Sequence, residues 1–129
     1  MRINEDFVPS TIRQAVYHIV ESLSIEEKAN IQDNSNDSYP SYVAHHTVGR
    51  YIRNNWSLWE DDSPLKRDAV KTYGIAHADD ISGLMIEWVF TIVRDQDDFD
   101  PVGHCELYHD HWKRAGTNSL SAGGWKAKE

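Results

Sequence analysis

Seven histidines and twenty-one acidic residues in a chain of 129 supply enough ligands and proton carriers for metal or acid–base chemistry, so their spacing decides. His45 and His46 are adjacent, and on a helix adjacent side chains diverge by about 100°, which prevents both from closing on one ion. His104 and His111 share a helical face with Tyr108 between them. That spacing is wider than the i, i+4 histidine pair of a zinc protease, and no Glu-x-x-His carboxylate motif accompanies it. His77-Ala78-Asp79-Asp80 gathers an imidazole and two carboxylates, as metal phosphohydrolases do, but lacks their adjacent His-Asp pair. At the start of a helix the same residues act as cap and first-turn anions. Cys105 lies close to a helix N-terminus, where a thiolate is favoured, yet it also falls on an apolar stripe and reads as a core thiol. Gly-x-Ser-x-Gly, the Walker loop and the dinucleotide fingerprint do not occur. The expectation is a protein without catalytic residues, metal or cofactor.

A second group of polar residues suggests binding. His46, Arg50, Arg53 and Asn54 form a cationic strip along one face of a helix, with His77, Asp79 and Asp80 downstream. The strip has the chemistry to hold a phosphate, a nucleotide or a carboxylate-rich surface. It is equally suited to pair with Asp79, Asp80 or the Glu60-Asp61-Asp62 turn and so tie two helices together.

The elements that must position these residues are legible from period and punctuation. Pro9, Ser10 and Thr11 open a helix whose apolar stripe is Ile12, Ala15, Val16, Ile19, Val20 and Leu23. Ser24-Ile25-Glu26-Glu27 is a capping box and begins a short helix to about Gln32. Residues 33–40 are turn formers without period and read as a loop. A long helix follows from Ser41 to about Leu58. Its apolar arc holds Ala44, Val48, Tyr51, Ile52, Asn55, Leu58 and Trp59, with His45 and Trp56 at the margin. His46, Arg50, Arg53, Asn54 and Ser57 lie opposite. Gly49 in mid-helix points to close approach of another backbone. Ser63-Pro64 starts the next helix and Gly74 is placed to stop it. From Ala78 to Arg94 the chain is apolar around more than half the circumference, which marks the central helix. Asp100-Pro101 begins a last helix to Ala115. The fold class is all-α: a single-domain bundle of about five to six helices over residues 1–116, followed by a Ser/Gly-rich irregular tail, 117–129, with Trp125 as an anchor.

Thirteen basic residues against twenty-one acidic ones give a formal charge of −8. That balance disfavours direct nucleic-acid binding, which needs cations to displace counterions, and favours a partner protein with a basic surface. Glu60, Asp61 and Asp62, together with Asp95, Asp97 and Asp98, are the candidate acidic interaction face. No apolar run of membrane-spanning length, no signal peptide and a single cysteine together suggest a cytoplasmic setting.

His45-His46-x-x-Gly49-x-x-Ile52-Arg53-Asn54-x-Trp56-x-Leu58-Trp59, then Leu65, Gly74-Ile75 and His77-x-Asp79-Asp80-Ile81-Ser82-Gly83, resembles a family of small uncharacterised helical proteins of bacteria and phages. The resemblance spans roughly residues 41–94. It implies a shared scaffold with Arg53, Asn54, Trp56, Trp59, His77, Asp79 and Asp80 as signature positions. It implies no activity. In related sequences proline is more often found where Ala78 stands.

These readings converge on a non-enzymatic module that binds and neutralises a partner, in the manner of an immunity protein against a toxin or nuclease, or of a phage inhibitor of a host defence complex. The alternative is a nucleotide or small-ligand domain centred on Arg50, Arg53, Asn54 and His77. A metal-dependent hydrolase ranks below both.

Overall fold

The computed structural model describes residues 6–32, 48–60, 62–95 and 99–125. His46, Asp61, Asp97 and Asp98, the loop expected over 33–40 and the helical turns expected over 41–47 lie outside them. Among the described residues all regular structure is helical, and no helix is long and apolar enough to cross a membrane.

Helix α1 (Ile12–Ser22) is started by Thr11, whose hydroxyl accepts from the Gln14 N–H at 3.1 Å, while the Gln14 side chain accepts from the Ser10 N–H at 2.9 Å. Ile12, Ala15, Val16 and Ile19 form its buried stripe. Helix α2 (Ile25–Gln32) opens with the expected capping box: Glu27 N–H donates to Ser24 Oγ at 3.0 Å, and Ser24 N–H to Glu27 Oε1 at 2.9 Å. Helix α3 spans Val48–Asn55. Helix α4 (Pro64–Asp68) begins at the Ser63 cap and widens into a π-helical turn, Ala69–Tyr73. Gly74, at φ 69°, ends it in the left-handed conformation that costs glycine little.

Helix α5 (Ala78–Val93) is the centre of the bundle, with α1, α2 and α3 packed on it. Its length, about 24 Å, is buried on most sides through Ile81, Leu84, Met85, Ile86, Trp88, Val89, Phe90 and Val93. Arg94 Nε donates to the Ile31 carbonyl at 2.7 Å and Gln32 Nε2 to the Val93 carbonyl at 3.1 Å, so the C-termini of α2 and α5 close on one another.

The expected last helix is broken. Helix α6 (Pro101–His104), capped by Asp100, turns at the wholly buried Cys105 into α7 (Glu106–Arg114). The corner keeps the thiol inside and leaves Val102 and Leu107 exposed. The segment expected to be irregular contains a further turn of helix, α8 (Ser119–Ala122), because Asn118 Oδ1 accepts from both the Leu120 and Ser121 N–H groups. Just beyond it Gly123 lies so close to the backbone of Ala76 and His77 that a Cβ would collide with both.

Candidate functional site

The N-terminus of α5 gathers most of the polar residues singled out by the sequence. His77 Nδ1 accepts from the Asp79 N–H at 3.1 Å and caps the helix. From α3 the Arg53 side chain reaches across: one terminal nitrogen donates to Ser82 Oγ at 2.8 Å, and Nε lies 3.4 Å from Asp79 Oδ1. Ser82 in turn donates to the Asp79 carbonyl at 3.2 Å. Asp80 serves the opposite flank, where its Oδ2 accepts from the Trp112 indole N–H of α7 at 2.8 Å. The Trp112 ring stacks against His77 at 5.5 Å between centroids and meets His111 edge-on at 4.7 Å.

Arg53 is 7% exposed, which corrects its assignment to the outer face of the helix. The buried stripe of α3 is Gly49, Ile52, Arg53 and continues to Trp56, an i, i+3, i+4, i+7 series. The arc drawn from sequence is turned from it by roughly one residue, about 100°. Asn55 and Trp59, expected inside, are exposed, as is Tyr51. Trp59 faces outward because α3 stops at Asn55. Ser57 adopts φ 55°, and the turn carries Leu58 inward and Trp59 outward. The reading in which arginine ties two helices together describes Arg53 and Asp79. Arg50 and Asn54 are exposed, whereas the Arg53 guanidinium is buried against Ser82 and Asp79, so these residues do not present one common open surface.

Burial raises the Asp80 carboxyl above the usual aspartate range, opposed by the Trp112 hydrogen bond and by His77. Burial likewise pushes the Cys105 thiol up to about 12, and the carboxylates of Asp80 and Asp100 add to it, so the thiolate needed for nucleophilic chemistry is suppressed. Tyr108 Oη sits 3.0 Å from His104 Nε2 and beneath Gly83, where a Cβ would approach it to 2.7 Å. Burial pushes the tyrosine upward and the His104 imidazole downward. Among the described residues no three His, Cys, Asp or Glu side chains converge in a way that could hold a metal ion.

Two interactions escape sequence reasoning. Trp112 is thirty-two positions from Asp80, and nothing local announces their pairing. Ser119 Oγ lies 2.6 Å from His109 Nδ1, the spacing of a nucleophile and its base. Ser119 is 3% exposed, however, which closes it to a substrate and makes the pair a clasp between α7 and α8. The Asn118 cap was the available signal for that turn.

The outer face of α3 is open. Arg50, Tyr51, Asn54 and Asn55 line a shallow depression of about 500 Å³. A second hollow of about 240 Å³ meets it at Asn55 and is bordered by Val8, Glu60 and Asp62. Trp59 is 58% exposed, and its indole N–H donates to Asn54 Oδ1 at 3.2 Å. Glu60 and Asp62 are exposed beyond the C-terminus of α3, and Asp95 beyond that of α5. Arg53 meets Asp79 and Ser82, while Val48 lines a small apolar gap with Val89 and Phe90. The two helices therefore run antiparallel, and the two acidic groups sit at opposite ends of the bundle.

A family model described as a domain of unknown function (DUF6794) matches residues 8–90. The chain belongs to the DUF6794 family. The match takes in α1 to α4 and most of α5, including Arg53, Asp79, Asp80 and Ser82, and leaves out the part of the chain that carries Trp112. No curated protein and no solved structure matches this DUF6794 chain.

Proposed function

We propose that this DUF6794 protein is a non-enzymatic protein-binding module that docks a partner on the outer face of α3 and the turn after it. The observation that carries the reading is Trp59: a large indole, mostly exposed, that donates to Asn54, which lines the same depression as exposed Tyr51 and Arg50. Tryptophan, tyrosine and arginine are the residues that dominate binding energy at protein interfaces. A side chain already fixed by a hydrogen bond loses less entropy on docking. Glu60 and Asp62 on the rim, with the formal charge of −8, favour a partner with a basic surface and would steer its approach. A toxin, a nuclease or a defence complex with a nucleic-acid groove has that character, and the module would neutralise it by covering the groove. The Glu60–Asp62 end acts alone in this scheme, since Asp95 lies at the other end.

The test is a partner obtained by affinity capture from the native host and then purified, with titration calorimetry on the pair. Trp59→Ala is expected to weaken binding by about 30-fold, the effect of losing roughly 2 kcal/mol at a hot spot, with no loss of thermal stability. Glu60→Gln with Asp62→Asn is expected to slow association and flatten its salt dependence. Binding of Trp59→Ala at full strength overturns the proposal.

A further inference from the structure

On another side of the molecule, away from α3, α1 and α5 meet the start of α6 around a cleft of about 490 Å³. Its walls are aromatic: Tyr17, Tyr73, Trp88 and Phe99, the last two 5.8 Å apart between centroids and inclined at 39°. Arg13 lies over two of these rings, its guanidinium carbon 5.9 Å from the centroids of both Tyr17 and Trp88. The guanidinium has five N–H donors, yet among the described residues it makes no hydrogen bond and no ion pair. Asp95, which also lines the cleft, is likewise without a side-chain partner among the described residues. A surface arginine commonly points into water. This one lies over two rings at the wall of a cavity, which holds its donors beside the aromatic side chains.

We propose that this cleft is a binding site for a small planar aromatic ring bearing an anionic group. The volume is that of an ordinary small-ligand site, and its lining mixes aromatic rings with the polar groups of Arg13, Thr72, Thr91 and Asp95. The ring enters against Trp88 and Phe99, where offset stacking is favoured. Its phosphate or carboxylate takes the Arg13 donors in the bidentate geometry that lysine cannot supply. Asp95 accepts from an amino group or ring N–H on the opposite edge and so selects against rings that present only acceptors. A nucleoside monophosphate and an aromatic amino acid or aminobenzoate share this chemistry, and they differ in the anion. The site is independent of the α3 surface, and neither depends on the other.

The test uses the full chain, labelled with ¹⁵N and titrated separately with AMP and with 2-aminobenzoate, with adenosine as the uncharged control. Saturable movement of the Trp88 indole signal and of the Tyr17 and Phe99 amides is the expected result. Saturation by AMP identifies phosphate as the anion, and saturation by 2-aminobenzoate identifies carboxylate. Arg13→Gln, an exposed position whose replacement leaves the core intact, is expected to weaken binding of the anionic probe by on the order of tenfold, to the level of the uncharged analogue. Tyr17→Ser, also exposed, is expected to weaken charged and uncharged rings alike. The proposal is overturned if neither probe moves these signals at millimolar concentration, or if Arg13→Gln binds the anionic probe as the parent does.

Discussion

Replacing Arg53 tests the geometry of the α5 N-terminus most directly, because an arginine on an exposed helical face and an arginine between two helices respond very differently. Arg53→Ala removes a charge-assisted hydrogen bond of 2.8 Å to Ser82, a class of interaction that stabilises by about 1.5–3 kcal/mol. It removes the ion pair with Asp79, which contributes less than about 1 kcal/mol because that carboxylate is half-exposed. It also removes a stem whose packing contributes about 0.8 kcal/mol per buried methylene. The expected loss is roughly 4 kcal/mol, a large part of a typical stability of about 5–15 kcal/mol. For a domain of this size it appears as a fall in melting temperature of about 10–15 °C. Arg53→Met keeps most of the stem, and Ser82 keeps its bond to the Asp79 carbonyl, so about half of that loss is expected. Urea unfolding followed by circular dichroism measures both. An Arg53→Ala protein within about 0.5 kcal/mol of the parent, the usual range for surface substitutions, would refute the buried placement and restore the outward-facing one.

Three further outcomes follow from the packing. Asp80 has a raised pKa in the folded state, so the native state holds its proton more tightly than the unfolded chain does. Its contribution to stability is therefore greatest below the ordinary aspartate pKa and declines as pH rises through the raised value. Urea midpoints across that range should show the decline in the parent and its absence in Asp80→Asn, which keeps an acceptor for Trp112. Gly123→Ala drives a methyl group into the Ala76–His77 backbone, and hydrogen exchange should become faster over residues 117–125 while the amides of α5 stay protected. Cys105, wholly buried with its pKa near 12, should react with a disulfide reagent only as fast as the protein opens. Modification at the rate of a free thiol in the native protein would contradict that burial.

The elements were legible wherever a local signal governs them. Ser24 with Glu27, Ser63 with Pro64, Gly74 and Asp100 with Pro101 all act over three or four residues, and each stands where the structure uses it. The central helix announced itself by its apolar circumference. The phase of α3 was not legible, because Leu58 and Trp59 were assigned to a helix that had already ended at Asn55, and a few residues added past a terminus pull the apparent arc toward themselves. Gly49, Ile52, Arg53 and Trp56 form the true stripe, and an arginine within it reads as polar until its partners in α5 are known. The site was legible as a set of residue types and illegible as a set of contacts. His77 as cap and Asp79 as first-turn anion are local facts, whereas Asp80 with Trp112 and His109 with Ser119 depend on how distant segments meet. The Arg13 cleft combines an arginine and a tyrosine one turn apart with rings from three other segments, and no motif encodes it.

The pairing of Asp80 with Trp112 separates two kinds of boundary. The match to the DUF6794 family model ends at residue 90, yet the buried Asp80 carboxylate within it obtains its indole donor from residue 112. The neighbouring backbone at Ala76 and His77 is sheltered by residue 123. A fragment cut at the edge of the matched segment would strand a carboxylate against an apolar wall and expose the loop that starts the central helix. The segment that the family model covers is thus shorter than the segment whose packing closes this end of the bundle.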